Sequence, residues 1–269
     1  MLITSLQNPG VKLARSLRKR KVRDESGLSL IEGYRAVSRG LECGLSFKVC
    51  YYAPELFLGK NEPDLLNKLS ASGADVLETT ADVLAKIAYR DRPEGILALA
   101  YTIKHEFKDM PVNPQGLYLV AESIEKPGNL GSILRSADAV GADGVIVCQK
   151  RTDIYNPNVI TASTGALFSM NLAECTEQEA LEWIRSNSLK ILAATPEAET
   201  LYTDVDMTQG VVVIVGAEQY GLSEFWKQHA DITVRIPMLG YIDSLNVATA
   251  ATVILYDAVR QRGGTVEQN

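Results

Sequence analysis

Six short β-rich runs in the second half of the chain do most to narrow its possible folds. They are "GLYLVAE" (116–122), "GVIVCQ" (144–149), "LFSMNLA" (167–173), "KILAAT" (190–195), "VVVIVG" (211–216) and "TVRIP" (233–237). Most are nearly continuous in apolar residues rather than alternating. A strand buried on both faces needs that composition, and such strands belong to parallel sheets covered by helices on either side. Helical patterns fill the intervals, at 130–140, 156–163, 177–187, 221–228 and 244–262. The implied architecture is an open, mostly parallel α/β sheet. In such sheets ligands bind beyond the carboxyl ends of the strands, which points to the loops after 122, 195, 216 and 237.

The first hundred residues carry the same alternation more weakly. Helical patterns at 11–23, 33–43, 63–72 and 80–88 alternate with "FKVCYYA" (47–53), "ADVLET" (74–79) and "GILALAY" (95–101). This predicts a small α/β domain over 1–102. The stretch "IKHEFKDMPVNPQG" (103–116) has two prolines, mixed charge and no apolar period. It reads as a linker over 103–115, with a C-terminal domain at 116–269.

The net charge of −6 argues against nucleic acid, but its distribution argues for it. The segment "KLARSLRKRKVR" (12–23) holds seven Lys/Arg and no acid. Val11, Ala14 and Leu17 recur every third residue, so the segment can be a helix with one apolar stripe and basic flanks. A solvated helix face accounts for this as well as RNA contact does. Cys43, Cys50, Cys148 and Cys175 lack C-x-x-C spacing and read as reduced, buried thiols of a cytoplasmic protein. His105 and His229, the only histidines, have no partners at zinc-ligand spacing, so no metal is expected. No apolar run reaches the ~18–20 residues of a membrane span, and the N-terminus has no secretory pattern.

Four loops draw attention. In "EKPGNLGSILRSADAVGADG" (125–144), Leu130, Ile133, Leu134, Ala137 and Val140 form one helical stripe. Arg135 projects off it, either as a surface residue paired with Asp138 or as a functional group; Asn129 reads as a helix cap. In "ATPEAET" (194–200), Thr195 either faces a ligand or caps a turn. In "VVVIVGAEQYGLSEFW" (211–226), a buried strand runs into Gly216, Glu218 and Gly221, with Ser223 as the expected cap of the next helix. Glycines there let a backbone approach a ligand closely. Neither a dinucleotide fingerprint nor a P-loop is present. In "IPMLGYIDSLNVATAATVILYDAVR" (236–260), capping by Asp243 or Ser244 leaves Asn246 unexplained inside the first turn. The helix that follows is apolar almost all round, from Leu245 to Val259, and a second subunit is a natural cover for it.

Taken together, "N-L-G-S-I-L-R", "V-G-A-E-x-x-G-L-S" and "I-P-M-x-G-x-x-x-S-L-N-V-A-x-A" resemble the three motifs of the SpoU/TrmH class of SPOUT RNA ribose methyltransferases, over about residues 116–262. Residues 5–37 and "RPEGILALA" (92–100) resemble the small RNA-binding module found on ribosomal-RNA members. The resemblance implies an α/β sheet with a deep trefoil knot, homodimerisation, and transfer of a methyl from S-adenosyl-L-methionine to a ribose 2′-OH. Large-subunit rRNA is the implied substrate. The alternatives are a tRNA 2′-O-methyltransferase and a catalytically silent ribosome-assembly factor. The implied cofactor residues are Gly216, Ile236, Leu245, Thr195, Met238 and Gly221. Arg135, Asn129, Glu218, Ser244 and Asn246 are the implied catalytic set. The implied RNA contacts are Lys12, Arg15, Arg18, Lys19, Arg20, Arg23, Glu32 and Arg35.

Overall fold

A computed structural model describes residues 2–263; the end of the expected C-terminal domain, 264–269, lies outside the described residues. The chain divides into two compact units. One comprises the chain up to Lys104 together with Asp153–Ser169; the other comprises His105–Thr152 and the chain from Met170. These boundaries differ from the expected ones in two places. Residues 153–169, expected in the C-terminal domain, pack with the first unit. From His105 onward the expected linker belongs to the second unit, where Met110 is buried in the core and the His105 carbonyl accepts from Glu174 N–H at 3.1 Å.

In the first unit, helix α1 (Pro9–Ser16) starts where the Asn8 side chain accepts from the Gly10 and Val11 amides, with Pro9 at its first position. Val11, Ala14 and Leu17 are buried, as their spacing predicts. The expected helix over 11–23 is broken: α2 (Arg20–Ser26) begins after a turn at Leu17–Lys19. Strand β1 (Leu28–Glu32) was not expected from the sequence; all five of its residues are buried, Ser29 and Glu32 included. Helix α3 (Tyr34–Glu42), β2 (Phe47–Tyr52), α4 (Glu62–Ala71), β3 (Asp75–Glu78), α5 (Ala81–Ile87) and β4 (Ile96–Tyr101) follow. The sheet order is β1-β4-β2-β3, with β2 and β3 parallel and the other pairs antiparallel.

The second unit opens with β5 (Leu117–Glu122), α6 (Pro127–Ala139) and β6 (Gly144–Cys148). The chain then supplies α7 (Pro157–Ala162) and α8 (Ala166–Ser169) to the first unit, where α7 lies against β1 and α8 against α3. The expected strand at 167–173 is therefore the end of α8 followed by a later strand, β7 (Leu172–Cys175). Helix α9 (Glu177–Ser186), β8 (Lys190–Ala194), the two-residue β9 (Thr200–Leu201), β10 (Val211–Val215), α10 (Glu224–His229), β11 (Ile232–Arg235) and α11 (Val247–Gln261) complete it. The seven strands run β7-β6-β5-β10-β8-β11-β9, and every pairing is parallel. Tyr118, Val120, Ile146, Val212 and Ile214 form a core with Ala180, Ile184, Leu222 and Trp226 from the α9 and α10 side. The alternate residues turn to the opposite face, where α6 and α11 pack on each other and on the sheet. Burial on both faces is the reason the strands are continuously apolar.

None of the four cysteines is in a disulfide; Cys50 and Cys148 are buried as expected, but Cys175 is half-buried and Cys43 is exposed at the end of α3. Among the described residues no helix is long and apolar enough to cross a membrane.

Candidate active site

The four central strands β5, β10, β8 and β11 end side by side at Glu122, Val215, Ala194 and Arg235. The segments after β8, β10 and β11, with Lys126 from the loop after β5, enclose a cleft of about 520 Å³. Its wall includes Thr195, Gly216, Gly221, Ile236, Met238 and Leu245, all six expected cofactor residues. Glu218, Ser244 and Asn246 line it as well. Apolar surface comes from Leu222, Val234 and Ala250, and charge from Lys126, Glu197, Lys227 and Asp243. A cleft of this size, mostly formed by backbone turns with a few polar groups, is of the kind that holds a small organic cofactor.

Two glycines make the floor. A Cβ on Gly216 would lie 2.3 Å from the Gly221 carbonyl oxygen, because the 217–221 loop folds back on the strand end. Gly221 itself has φ +65°, a left-handed conformation suited to glycine. Beyond it, Ser223 caps α10 by accepting from Trp226 N–H, as expected. The buried Glu122 carboxylate accepts from Ser223 N–H at 2.9 Å and so ties this loop to the end of β5. No motif marks Glu122 in the sequence.

A chain of hydrogen bonds crosses the cleft edge. Asn246 is the N-cap of α11: its Oδ1 accepts from Ala248 N–H at 3.0 Å and Thr249 N–H at 3.4 Å. This corrects the expectation that Asp243 or Ser244 caps the helix; the helix starts three residues later than expected, at Val247. With Oδ1 so engaged, Asn246 Nδ2 points outward and donates to Asn129 Oδ1 at 3.0 Å. Asn129 Nδ2 donates to Glu218 Oε1 at 2.6 Å. Both amide orientations are thereby fixed, since backbone amides at one end can only donate and a carboxylate at the other can only accept. Asn129 lies in the first turn of α6 and spends its side chain on this chain, not on a cap. Glu218 also accepts from the Glu125 and Lys126 amides at 3.0 and 3.1 Å. Burial pushes the Glu218 carboxyl up, but these donors and Asn129 outweigh it and hold the group below the usual carboxylate range. Thr195 donates its hydroxyl proton to Glu197, which lowers the Glu197 carboxyl too. Ser244 is exposed and donates to Asp243 Oδ1 at 3.3 Å. Arg135 is exposed on α6 and lies outside the residues lining the cleft.

One expected RNA contact in the first unit is corrected. Arg23 is buried: Nε and Nη2 donate to Asp153 Oδ2 at 2.9 and 2.6 Å, and Nη1 donates to the Leu17 and Arg18 carbonyls. It closes the α1–α2 turn. Glu32 is buried too, and accepts from the Tyr89 and Arg90 amides. Arg23, 3% exposed, is out of reach of a phosphate, whereas Glu32 keeps lone pairs and lines a cleft of the first unit. Lys12, Arg15, Lys19, Arg20 and Arg35 are exposed. Arg18 is exposed as a residue, but its guanidinium donates to the Ala88 and Lys86 carbonyls.

The model of the SpoU rRNA Methylase family matches residues 116–256, which contain every cleft residue. The chain belongs to that family. The MRM3-like substrate binding domain matches residues 8–98 of this SpoU methylase. The 23S rRNA (uridine(2479)-2′-O)-methyltransferase of Streptomyces viridochromogenes is 33% identical over 253 residues, 91% of this chain and 87% of that one. Among solved structures, an RNA 2′-O ribose methyltransferase is 41% identical with a TM-score of 0.87, covering 97% of this chain and 99% of the other. An AdoMet-bound rRNA methyltransferase from Sinorhizobium meliloti is 31% identical with a TM-score of 0.88, covering 97% of each chain.

Proposed function

We propose that this SpoU methylase transfers a methyl group from S-adenosyl-L-methionine to a ribose 2′-OH of large-subunit (23S) ribosomal RNA in the cytoplasm. One observation carries the reading: the loops that hold the second and third motifs line one cleft, and Asn129 of the first motif is hydrogen-bonded to Glu218 and Asn246 of that lining. The similarity to RNA 2′-O-methyltransferases over nearly the whole chain supports the ribose 2′-OH as acceptor, and the similarity to 23S and other rRNA enzymes supports the substrate.

The bound cofactor supplies an electrophilic methyl on a sulfonium centre. Backbone groups at Gly216, Ile236 and Leu245 would hold it, with Thr195, Met238 and Gly221 on the surrounding wall; the polypeptide at these loops is threaded as a trefoil knot. The Glu218–Asn129–Asn246 chain keeps the start of α6 and the start of α11 in register, and with Ser244 orients the ribose. Holding nucleophile and methyl donor in line can itself supply several kcal/mol of barrier reduction. Arg135 carries a guanidinium, which offers hydrogen-bond donors and no acceptor. It therefore serves as a donor that fixes the adjoining phosphate and stabilises the developing alkoxide, not as the base. Lys12, Arg15, Arg18, Lys19, Arg20 and Arg35 contact RNA phosphates from the first unit.

The enzyme works as a homodimer that covers the outer side of α11, where Tyr256 is 50% exposed and Val253 and Val259 are half-buried. Light scattering of the wild type and Tyr256→Glu tests this; a monomeric wild type refutes it. Purified protein, labelled S-adenosylmethionine and either ribosomal or transfer RNA test the activity. Label in tRNA alone overturns the substrate, and label in neither overturns the reaction.

A further inference from the structure

The first unit has a cleft of its own, of about 550 Å³, walled by the end of β1, the loop before α4, and the segment around Arg90. Its polar groups are incompletely matched. Glu62 is only 3% exposed; its Oε1 accepts from Gly59 N–H at 2.8 Å, but Oε2 has no hydrogen-bond partner among the described residues. Arg90 pairs through Nη1 with Glu94, while its buried Nε is likewise without a partner. An orphaned acceptor and an orphaned donor in the lining of one cleft are costly unless something supplies their complements. The chain also shapes this wall deliberately. Gly33, at φ +86°, passes so close to Glu94 that a Cβ there would lie 2.7 Å from Oε2, and Glu32 pins the Tyr89 and Arg90 amides. Tyr34 adds a flat ring and the 78% exposed Leu58 an apolar side chain to the lining.

The chemistry of these groups selects the ligand. Glu32, Glu62 and Glu94 outnumber Arg35 and Arg90 in the lining, which disfavours a phosphate inside the cleft and leaves Arg35 for the strand's backbone, and no group of three acidic, His or Cys residues could hold a metal among the described residues. Flat apolar surface combined with an acceptor and a donor suits a nucleobase, and an unpaired one can offer both its face and its pairing edge. Of the four bases, guanine alone presents two adjacent donors, N1–H and N2–H, with the O6 acceptor beside them. Adenine and cytosine set a ring acceptor next to their single amino group, and uracil flanks its one donor with two acceptors. A carboxylate can take both guanine donors at once.

We propose that this cleft receives the base of an unpaired guanine in the RNA substrate, its N1–H and N2–H meeting Glu62 and its O6 meeting Arg90. This rests on the reading of the protein as an RNA-modifying enzyme and adds a specificity element remote in sequence from the methyltransferase motifs.

The test uses the full chain and four fluorescent RNA heptamers, oligouridine with a central G, A, C or U, by anisotropy at low salt. The G heptamer should bind about tenfold tighter than the others, the scale of a bidentate side-chain–base contact. Glu62→Gln, which turns an amide donor toward the base, should bring all four within about twofold. Should Glu62→Gln fail to fold, Arg90→Lys keeps the charge beside Glu94, removes the Nε donor, and should still narrow the preference. Equal binding of the four heptamers, no binding of any, or a G preference unchanged in folded variants overturns the proposal. GMP separates a strand-borne guanine from a free nucleotide: binding as tight as the heptamer's overturns the RNA assignment. Methyl transfer to ribosomal RNA is scored separately. Its presence without a G preference sinks only this inference, and its absence in the wild type sinks the proposed function instead.

Discussion

Arg23 sits in the most basic stretch of the chain, yet its replacement by Ala should unfold the first unit before it affects RNA binding. Its side chain is 3% exposed and that of Asp153 is 7% exposed. Two donors converge on Asp153 Oδ2, and a third nitrogen serves the Leu17 and Arg18 carbonyls at 2.7 and 3.1 Å. Removing the guanidinium leaves a buried carboxylate with, among the described residues, the Tyr155 amide as the remaining donor, to Oδ1. Breaking a buried pair from one side costs about 3–5 kcal/mol, against ~0–1 for an exposed pair. For a unit of this size that is a Tm loss of roughly 10–20 °C. Arg20→Ala is the control: its pair with Asp24 spans 3.6 Å between side chains that are 49% and 63% exposed, so Tm should hardly move. Replacing both partners, Arg23→Met with Asp153→Leu, should recover most of the loss, because no charge is then stranded. Differential scanning calorimetry and circular dichroism read all four proteins. An Arg23→Ala variant with wild-type Tm but a shallower salt dependence of RNA binding would refute this reasoning and return Arg23 to the phosphate-binding set.

Other outcomes follow from the same geometry. Arg135→Ala should lower turnover by about 10²–10³-fold, the scale of losing one transition-state donor, while isothermal titration shows S-adenosylmethionine binding nearly unchanged; equal loss of both would contradict the assigned role. Asn129→Asp should lose more turnover at pH 7 than Asn129→Ala, since it sets a carboxyl against Glu218, and the gap should narrow toward pH 5 as the pair takes up a proton. In the wild type Glu218 is held low, so its contribution is present above the usual carboxylate range and lost only in stronger acid; a turnover profile limited by a group near neutrality would exclude Glu218 as that group. His105 is pushed down to about 4, chiefly by burial, so its neutral form stabilises the fold above the unfolded value of about 6.5 and that stability drains between pH 6.5 and 4. By pH 5 the loss is about 2 kcal/mol, and His105→Gln should flatten the thermal-stability profile over that window. Lys12→Ala, Arg15→Ala and Lys19→Ala should each weaken RNA binding across sequences and reduce the salt slope by about 1 per phosphate contact removed.

What could be read from the sequence depended on how local its physical cause is. Continuous apolar runs identify doubly buried strands, and parallel strands place a ligand beyond their carboxyl ends, so the cleft was found without any partner being known. Asn246 stands out in the sequence because Asn is costly inside a first turn. The structure removes the cost by making it the cap, and the amide group left over reaches Asn129. That contact joins residues 117 positions apart, and Asn129 joins Glu218 across 89. No periodicity carries such pairings. The same limit explains the errors. Arg23 is indistinguishable in sequence from its basic neighbours until Asp153, 130 residues later, folds against it. Residues 153–169 have an ordinary helical pattern between strands of one sheet, and consecutive elements usually pack together, so nothing local announces that they leave for the other unit. Glu62 carries this furthest. In the sequence it is a favourable acidic residue in a helix's first turn, and only enclosure turns its spare oxygen into a demand for a ligand.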